Sequence, residues 1–260
     1  MTRPVVIVVP CFNEEARLDG EAFLDYARGH ADVGFLFVDD GSRDRTAARL
    51  ERLRADLPDA IAVQALAKNA GKAEAVRTGV LAALSGGCEC VGYWDADLST
   101  PLVEIARFRE ILRADPALLA VLGCRIRRLG ADVRRQSARH YLGRVFATAA
   151  SLVLRLPVYD TQCGAKLFRA DRRVCEAFAV PFTSRWAFDV EVIARLRAGL
   201  EDAAAERLFY EQPLGRWQDV PGSKLGVRHM LAALRDLWRI RRSCRRSFSV
   251  VVGRRGNAIH

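Results

Sequence analysis

Two kinds of apolar pattern follow one another along the first hundred residues. Four short runs rich in β-branched residues have the length of buried strands: 5–9, 35–38, 61–66 and 90–94. Three segments between them place apolar residues at helical spacing: 21–28, 46–55 and 73–84. This alternation predicts parallel βαβ units with right-handed crossovers, and therefore an α/β fold with a mostly parallel sheet and helices on both faces.

Beyond residue 100 the same patterns predict one more strand and several helices. The strand is expected at 118–124, and helical spacing occurs at 145–154, 188–200 and 225–240. No linker rich in proline or glycine divides the chain. We therefore expect one domain over residues 1–242, followed by a basic tail at 243–260.

Length and composition fit a globular protein of enzyme size. The chain has 260 residues and half of them are apolar, which is enough for a substantial core. Its seven cysteines are an odd number without the spacing of a zinc site, which favours free thiols in a reducing compartment. The first apolar run begins too close to Met1 for a signal peptide, so we expect a cytoplasmic protein.

The basic residues are concentrated in two regions. The net charge is +10, and arginines cluster at 125–144 and 235–255. Such clusters suit phosphates, either on small ligands or on an anionic membrane surface. Because neither cluster has a helix-turn-helix, a zinc finger or an aromatic RNA-binding signature, we expect no nucleic-acid partner.

A polar segment follows each of the first four predicted strands. These segments are residues 10–15, 39–42, 68–72 and 95–97. In a parallel sheet, ligands bind outside the carboxyl ends of the strands, so the four segments should converge on one edge. No P-loop or Gly-x-Gly-x-x-Gly motif follows the first strand, which argues against an NTPase or a dinucleotide enzyme.

The polar segments carry residue types that suit a nucleotide and a metal ion. Asp95 and Asp97 end an apolar strand, where two carboxylates can hold Mg²⁺ or Mn²⁺ together with substrate phosphates. Gly71 allows a ligand to approach the backbone closely, and Lys72 near a helix start suits a diphosphate. Asp40 is placed to accept hydrogen bonds from a nucleobase or a ribose.

Together these motifs resemble the family 2 glycosyltransferases, which have a GT-A nucleotide-sugar fold. The resemblance rests on Val-Val-Pro-Cys-Phe-Asn-Glu-Glu (8–15), Val-Asp-Asp-Gly-Ser-Arg-Asp-Arg-Thr (38–46), Asn-Ala-Gly-Lys-Ala-Glu-Ala-Val-Arg-Thr-Gly (69–79) and Asp-Ala-Asp-Leu-Ser (95–99). Three later segments, at 160–168, 186–191 and 217–224, are similar to the dolichyl-phosphate β-glucosyltransferase branch. The resemblance extends over about residues 4–242.

The resemblance implies an inverting transfer of a sugar, glucose from UDP-glucose, to a polyprenyl or dolichyl phosphate. Residues 1–98 would bind the donor and residues 99–242 the acceptor. Asp95 and Asp97 would hold Mg²⁺ or Mn²⁺, with Asp97 counted as catalytic. The implied nucleotide-sugar site consists of Pro10, Phe12, Glu14, Asp40, Gly71, Lys72, Asp95 and Ala96.

For the acceptor the resemblance implies a set of cationic and polar residues. They are Arg125, Arg135, Arg139, Gln162 and Lys224. Guanidinium groups match phosphate oxygens in a bidentate way, and Arg125, directly after the strand expected at 118–124, is also counted as catalytic. Gln162, Cys163 and Gly164 are expected to shape the sugar pocket.

The role of Asp189 is open. A phosphate acceptor is already an anion and needs no base, whereas a saccharide hydroxyl needs a positioned carboxylate, for which Asp189 is the candidate. Asp189 equally fits a structural role at the start of the helix expected at 188–200. GDP-mannose as the donor is a further alternative. A non-catalytic protein that binds nucleotide sugars is disfavoured by the intact carboxylates of Asp95 and Asp97.

Membrane contact is expected to be peripheral. No apolar run reaches the roughly 20 residues that span a bilayer. The segments 145–154 and 225–240 combine apolar stripes with arginines, so each either lies at an anionic membrane surface or packs on the core. We expect the protein on the inner face of the membrane.

Overall fold

The computed structural model describes residues 3–130, 132–134, 137–218 and 235–242. Its strands are β1 Val5–Cys11, β2 Val33–Asp39, β3 Ile61–Ala65, β4 Cys90–Trp94, β5 Ala120–Cys124, β6 Asp132–Arg134, β7 Ala165–Arg169, β8 Phe209–Pro213 and β9 Arg216–Gln218. Its helices are α1 Gly20–Gly29, α2 Thr46–Asp56, α3 Lys72–Ser85, α4 Glu104–Ala114, α5 Ser137–Leu154, α6 Arg172–Ala179, α7 Phe188–Arg197, α8 Asp202–Glu206 and α9 at 235–242. The alternation predicted for the first hundred residues is confirmed.

Seven strands form one sheet in the order β3-β2-β1-β4-β7-β5-β8. Strands β1 to β4 are parallel to one another, and β8 is parallel to β5. Only β7 runs against its neighbours, β4 and β5. The prediction of a mostly parallel sheet is confirmed, and a separate parallel pair, β6 with β9, lies beside it.

Helices cover both faces of the sheet because successive side chains of each buried strand point to opposite faces. Val5, Ile7 and Val9 of β1 pack in a cluster that includes buried residues of α1, α2 and α4. Val6 and Val8 pack in a second cluster with residues of α3, α5, α6 and α7. The strands therefore read as continuous apolar runs, as expected for a sheet buried on both faces.

Helix α3 lies directly on the sheet, and this fixes the position of its first turn. A Cβ at Gly79 would lie 2.9 Å from the side chain of Val38 and still closer to that of Val8. Only glycine allows the helix this close to β1 and β2. The start of α3, at Lys72, is thereby held at the edge where β1 and β2 end.

The two segments predicted to be amphipathic both use one face to pack on the core. In α5, Phe146 and Leu154 are buried, whereas Val145 and Leu152 are exposed. In α9, Leu237 and Ile240 are buried, while residues 225–234 and the tail lie outside the described residues. None of the helices described is both long and apolar enough to cross a bilayer.

Candidate functional site

A cavity of about 240 Å³ opens where β1, β2 and β4 end, beside the start of α3. We call it the edge cavity. Its lining residues are Pro10, Cys11, Phe12, Glu14, Asp40, Lys72, Asp95, Ala96 and Asp97. The predicted convergence of the four polar segments is therefore present. Of the residues implied for the nucleotide-sugar site, only Gly71 is absent from the lining, and it directly precedes Lys72.

Asp40 holds the loop before α3 in place. This aspartate is buried, and its two carboxylate oxygens accept hydrogen bonds from the backbone N–H groups of Ala70 at 2.6 Å and Gly71 at 2.8 Å. Gly71 has a φ of +95°, a conformation that glycine adopts readily. Asp40 thus has a structural role that the sequence did not reveal, in addition to its place in the cavity wall.

The loop after β1 is tied to the loop after β2 by side chains that the sequence analysis did not single out. The N–H of Glu14 donates to Thr46 Oγ1 at 2.8 Å, and the N–H of Asn13 donates to Ser42 Oγ at 3.0 Å. The clustering of serine, threonine and aspartate after β2 was the available signal. These bonds fix the backbone that carries Glu14 into the cavity.

Lys72 forms an ion pair across the cavity with Asp95. Burial acts against the charge of Lys72, but neighbouring carboxylates, Asp95 first and then Asp189 and Asp97, raise its pKa. About 40% of the Lys72 side chain is nevertheless exposed. The cavity therefore presents a permanent cation that is already partly neutralised by an aspartate.

Only one of the two carboxylate oxygens of Glu14 has a hydrogen-bond partner among the described residues. Its Oε1 accepts a hydrogen bond from Arg17 at 2.6 Å, whereas Oε2 is buried and has no partner within the described chain. Burial raises the pKa of Glu14, and the Arg17 guanidinium opposes that effect. A buried carboxylate oxygen without a partner is costly, and the cost falls when a ligand donates to it.

Asp95 and Asp97 have defined positions at the cavity wall. A Cβ at Gly164 would overlap the Asp95 carboxylate, so this carboxylate fits only beside a glycine. The Asp95 N–H also donates to the Gly164 carbonyl at 3.1 Å. Asp97 Oδ1 accepts hydrogen bonds from the N–H and the Oγ of Ser99, at 3.0 and 2.7 Å.

The carboxylate oxygens of Asp95 and Asp97 suit a hard divalent cation that also binds a substrate. Among the residues described, no group of three or more His, Cys, Asp or Glu side chains is arranged to hold a metal ion. Two aspartates that line one cavity are a sufficient protein contribution for Mg²⁺ or Mn²⁺, because such ions complete their coordination with water and phosphate oxygens. Asp95 and Asp97 are thus chemically suited to this role.

Asp189 belongs to a buried cluster that the sequence analysis missed. Its Oδ1 accepts hydrogen bonds from Lys166 Nζ and from the Tyr93 hydroxyl, both at 2.5 Å. Lys166 is completely buried and also donates to the Cys163 carbonyl at 2.6 Å. Burial, together with the Asp189 carboxylate, raises the pKa of Tyr93 well above its ordinary value. A lysine in the middle of the apolar strand β7 was the signal for this cluster.

Arg125 is held by Asp160 in a bidentate ion pair. Its Nε and Nη2 donate to the carboxylate at 2.7 and 2.8 Å, and its guanidinium lies 5.2 Å from the Trp217 ring centre. Burial disfavours the charge, but Asp160 raises the pKa of Arg125. Glu211 supports the same loop by accepting hydrogen bonds from the N–H groups of Tyr159 and Asp160, at 2.7 and 2.8 Å. Arg125 was expected to bind an acceptor phosphate, and two of its N–H donor groups are already engaged by Asp160.

The remaining acceptor residues are described only in part. Gln162 has a buried Nε2 that has no partner in the described regions. Arg135 and Lys224 lie outside the described residues, and Arg139 is known only by its place in the backbone of α5. Six cysteines are described; all are free, and all but Cys175 are buried.

Comparison with known proteins points in the same direction as the motifs. The family model of glycosyl transferase family 2 matches residues 6–173. The chain is 28% identical over 243 residues to the dolichyl-phosphate beta-glucosyltransferase of Homo sapiens, covering 86% of this chain and 70% of that protein. It is 25% identical over 244 residues to the enzyme of the same name from Saccharomyces cerevisiae, covering 85% and 69%.

Solved structures share the fold. Glucosyl-3-phosphoglycerate synthase from Mycobacterium tuberculosis, in complex with Mn²⁺, UDP and glucosyl-3-phosphoglycerate, superposes with a TM-score of 0.65 and 16% identity, over 93% of this chain and 80% of that one. This likeness confirms the predicted GT-A fold. With the family model covering most of the chain, and with the motif residues assembled around one cavity, the chain belongs to glycosyl transferase family 2 and is a glycosyltransferase.

Proposed function

We propose that this enzyme transfers glucose from UDP-glucose to the phosphate of a polyprenyl lipid of the dolichyl type, with inversion at the anomeric carbon. The observation that carries the proposal is the likeness to dolichyl-phosphate beta-glucosyltransferases over 86% of the chain. The edge cavity supports the donor half of the proposal, because it brings the family's motif residues together.

The donor is proposed to bind in the edge cavity with its diphosphate near Asp95 and Asp97. Structural neighbours have been solved with Mn²⁺ and UDP-glucose, which supports a divalent cation without deciding between Mg²⁺ and Mn²⁺. Bound at the two aspartates, such an ion would neutralise charge on the departing nucleoside diphosphate. Lys72 adds a positive charge on the same side. Glu14 Oε2 can accept a hydrogen bond from an N–H or O–H group of the nucleotide.

The acceptor is proposed to approach from the side of Arg125 and Gln162. Asp160 fixes the Arg125 guanidinium in one orientation through Nε and Nη2, which leaves Nη1 for a phosphate oxygen. Gln162 has a buried amide nitrogen without a partner in the part of the chain described here, so it is a second donor for the same anion. Arg135, Arg139 and Lys224 are further candidates on sequence grounds alone.

A phosphate acceptor makes a general base unnecessary, and the surroundings of Asp189 agree with this. Asp189 Oδ1 is engaged by an ammonium and a hydroxyl, so that oxygen is held in place as an acceptor. We propose that Asp189 keeps Lys166 and the first turn of α7 in position. Transfer to a saccharide hydroxyl would instead require Asp189 to accept a proton.

Peripheral contact with an anionic membrane is part of the proposal, because a polyprenyl phosphate resides there. In helix α5, Val145 and Leu152 are 60% and 75% exposed, and Leu129 is fully exposed in the loop before β6. Arg155 follows the helix directly and is exposed. Exposed apolar side chains next to arginines suit the interface of an anionic bilayer.

The proposal is tested with purified protein, Mn²⁺ or Mg²⁺, a short polyprenyl phosphate, and either UDP-glucose or GDP-mannose. Mass spectrometry should detect a glucosylated lipid phosphate with UDP-glucose and far less product with GDP-mannose. Hydrolysis of the donor without a lipid product would refute the acceptor and make a hydroxyl acceptor, with Asp189 as base, the leading alternative. A mannosylated product would refute the donor.

A further inference from the structure

We propose that Arg185, which belongs to no motif discussed above, binds a phosphate oxygen at the rim of the edge cavity. Its guanidinium lies against Gly71, the residue before Lys72: a Cβ on Gly71 would come within 2.7 Å of Arg185 Nε and Nη2. Arg185, from the segment before α7, therefore lies against the loop that Asp40 holds. The inference rests on the proposed use of a nucleotide-sugar donor and adds a residue to it.

Among the residues that the structure describes, no acid forms an ion pair with Arg185. Its hydrogen bond in the described chain goes from Nη2 to the neutral amide oxygen of Asn69, at 3.1 Å. By contrast, Lys72 pairs with Asp95 and Arg125 pairs with Asp160. The Arg185 side chain is also exposed, so a ligand can reach it. It is a cation beside the cavity that remains available to an anion.

The electrostatics of the cavity call for such a cation. Four carboxylates line it, those of Glu14, Asp40, Asp95 and Asp97, against one lysine in the lining and Arg17, which pairs with Glu14 from outside it. A divalent ion offsets two of these negative charges, and a diphosphate then adds more. Because like charges repel strongly where water is partly excluded, a further cation within reach of the phosphates favours binding. Arginine is well suited, since its fork donates two hydrogen bonds to a phosphate.

The backbone that carries Arg185 is rigidly placed. Ser184 Oγ accepts hydrogen bonds from the N–H groups of Trp186 and Ala187, at 3.3 and 2.8 Å, and donates to Asp236 of α9 at 2.7 Å. Trp186 packs edge-on against Phe146, with ring centres 4.8 Å apart. The guanidinium thus extends from a fixed point of the backbone toward Gly71, so that only the side chain has to be ordered when it binds a ligand.

The inference is tested by calorimetric titration of wild type, Arg185→Gln and Arg185→Lys with Mn²⁺ present. The ligands are UDP and uridine, or GDP and guanosine if the wild type binds GDP more tightly. We expect Arg185→Gln to weaken binding of the diphosphate by about tenfold or more, the loss typical of a hydrogen bond to a charged group, and to leave the nucleoside unaffected. Arg185→Lys should retain part of the affinity. The control is Arg52→Gln, which removes one charge from exposed Arg52, a residue that does not line the edge cavity.

A second arm distinguishes the two possible sources of the phosphate. If diphosphate binding is unchanged but the KM for polyprenyl phosphate rises about tenfold in Arg185→Gln and not in Arg52→Gln, the bound phosphate is that of the acceptor. Equal weakening of the nucleoside and the diphosphate, or no change in either arm, overturns the inference. The calorimetric arm needs no acceptor, so a wild type that fails to glucosylate lipid phosphate refutes the proposed function and leaves this result standing.

Discussion

The edge cavity differs from two internal charge pairs in how far its charges are balanced. The internal pairs are Lys166–Asp189 and Arg125–Asp160. The cavity has an excess of carboxylates over cations, and one carboxylate oxygen of Glu14 lacks a partner in the described structure. In each internal pair an acid and a base neutralise one another at hydrogen-bond distance, and both partners are buried or nearly so. The excess charge of the cavity is available to a metal ion and a ligand, whereas the internal pairs hold neighbouring segments together, and of their cations Arg125 still has Nη1 for a ligand.

The comparison predicts that substitutions in the two regions affect different quantities. A change in the cavity should alter binding and turnover and leave the free energy of unfolding nearly unchanged. A change in an internal pair should lower the free energy of unfolding, because it leaves a buried charge without its partner. Three variants test this division and a fourth tests Glu211, which supports the loop of Asp160, in order of decreasing expected effect.

Asp97→Asn should lower metal-dependent turnover by about a thousandfold, because it removes one of the two carboxylates proposed to bind the metal ion and the charge stabilisation that they would supply. The asparagine can still accept the hydrogen bonds of Ser99, so we expect the free energy of unfolding to stay within about 1 kcal/mol of wild type. Turnover is measured by product formation at saturating Mn²⁺, and Asp25→Asn, at an exposed position of α1, is the control. Unchanged metal-dependent turnover would remove Asp97 from the site.

Lys166→Met should lower the free energy of unfolding by about 3–5 kcal/mol, since it leaves the buried carboxylate of Asp189 without its cation. Urea denaturation measures this loss. The matched control is Lys68→Met at an exposed position, for which we expect almost no effect. If Lys166→Met were as stable as Lys68→Met, the internal pair would not stabilise the fold and the contrast between the two regions would fail.

Gly164→Ala should lower turnover by roughly a hundredfold, because a methyl group would occupy the position of the Asp95 carboxylate and displace it from the cavity wall. The matched control is Gly29→Ala, where an added Cβ meets nothing within 4 Å. Both variants are compared by kcat and by thermal unfolding. Normal turnover in Gly164→Ala would show that the position of Asp95 is not critical for the reaction.

We expect the smallest effect from Glu211→Gln, which should change how the free energy of unfolding depends on pH. Burial raises the pKa of Glu211 above its ordinary value of 4.5. The folded chain therefore binds a proton at higher pH than the unfolded chain does, and the stability gained below pH 4.5 is lost as the pH rises through the folded pKa. The free energy of unfolding, measured with urea, should decrease between pH 4.5 and pH 7, and it should decrease less steeply for Glu211→Gln than for wild type. Parallel curves would contradict the assignment.

The sequence predicted which residues meet at the edge cavity, but not the pairing of Arg125 with Asp160. The residues that line the edge cavity follow strands whose apolar runs are visible in the sequence, and strand ends of a parallel sheet meet at one edge. Local motifs were therefore enough to assemble this part of the site. On the other side, Arg125 was assigned to a phosphate, and the structure shows that two of its donors are held by Asp160.

By itself, the sequence determined the alternation of strands and helices, the sheet edge that carries the site, and the carboxylates at that edge, because each follows from periodicity or from the residues next to a strand end. Only the tertiary structure decided which charges are compensated. Tyr93 and Asp189 are 96 positions apart, and Arg125 and Asp160 are 35 apart. Such pairs form when the chain folds and segments far apart in the sequence become neighbours, so a local sequence pattern does not show which residues will pair.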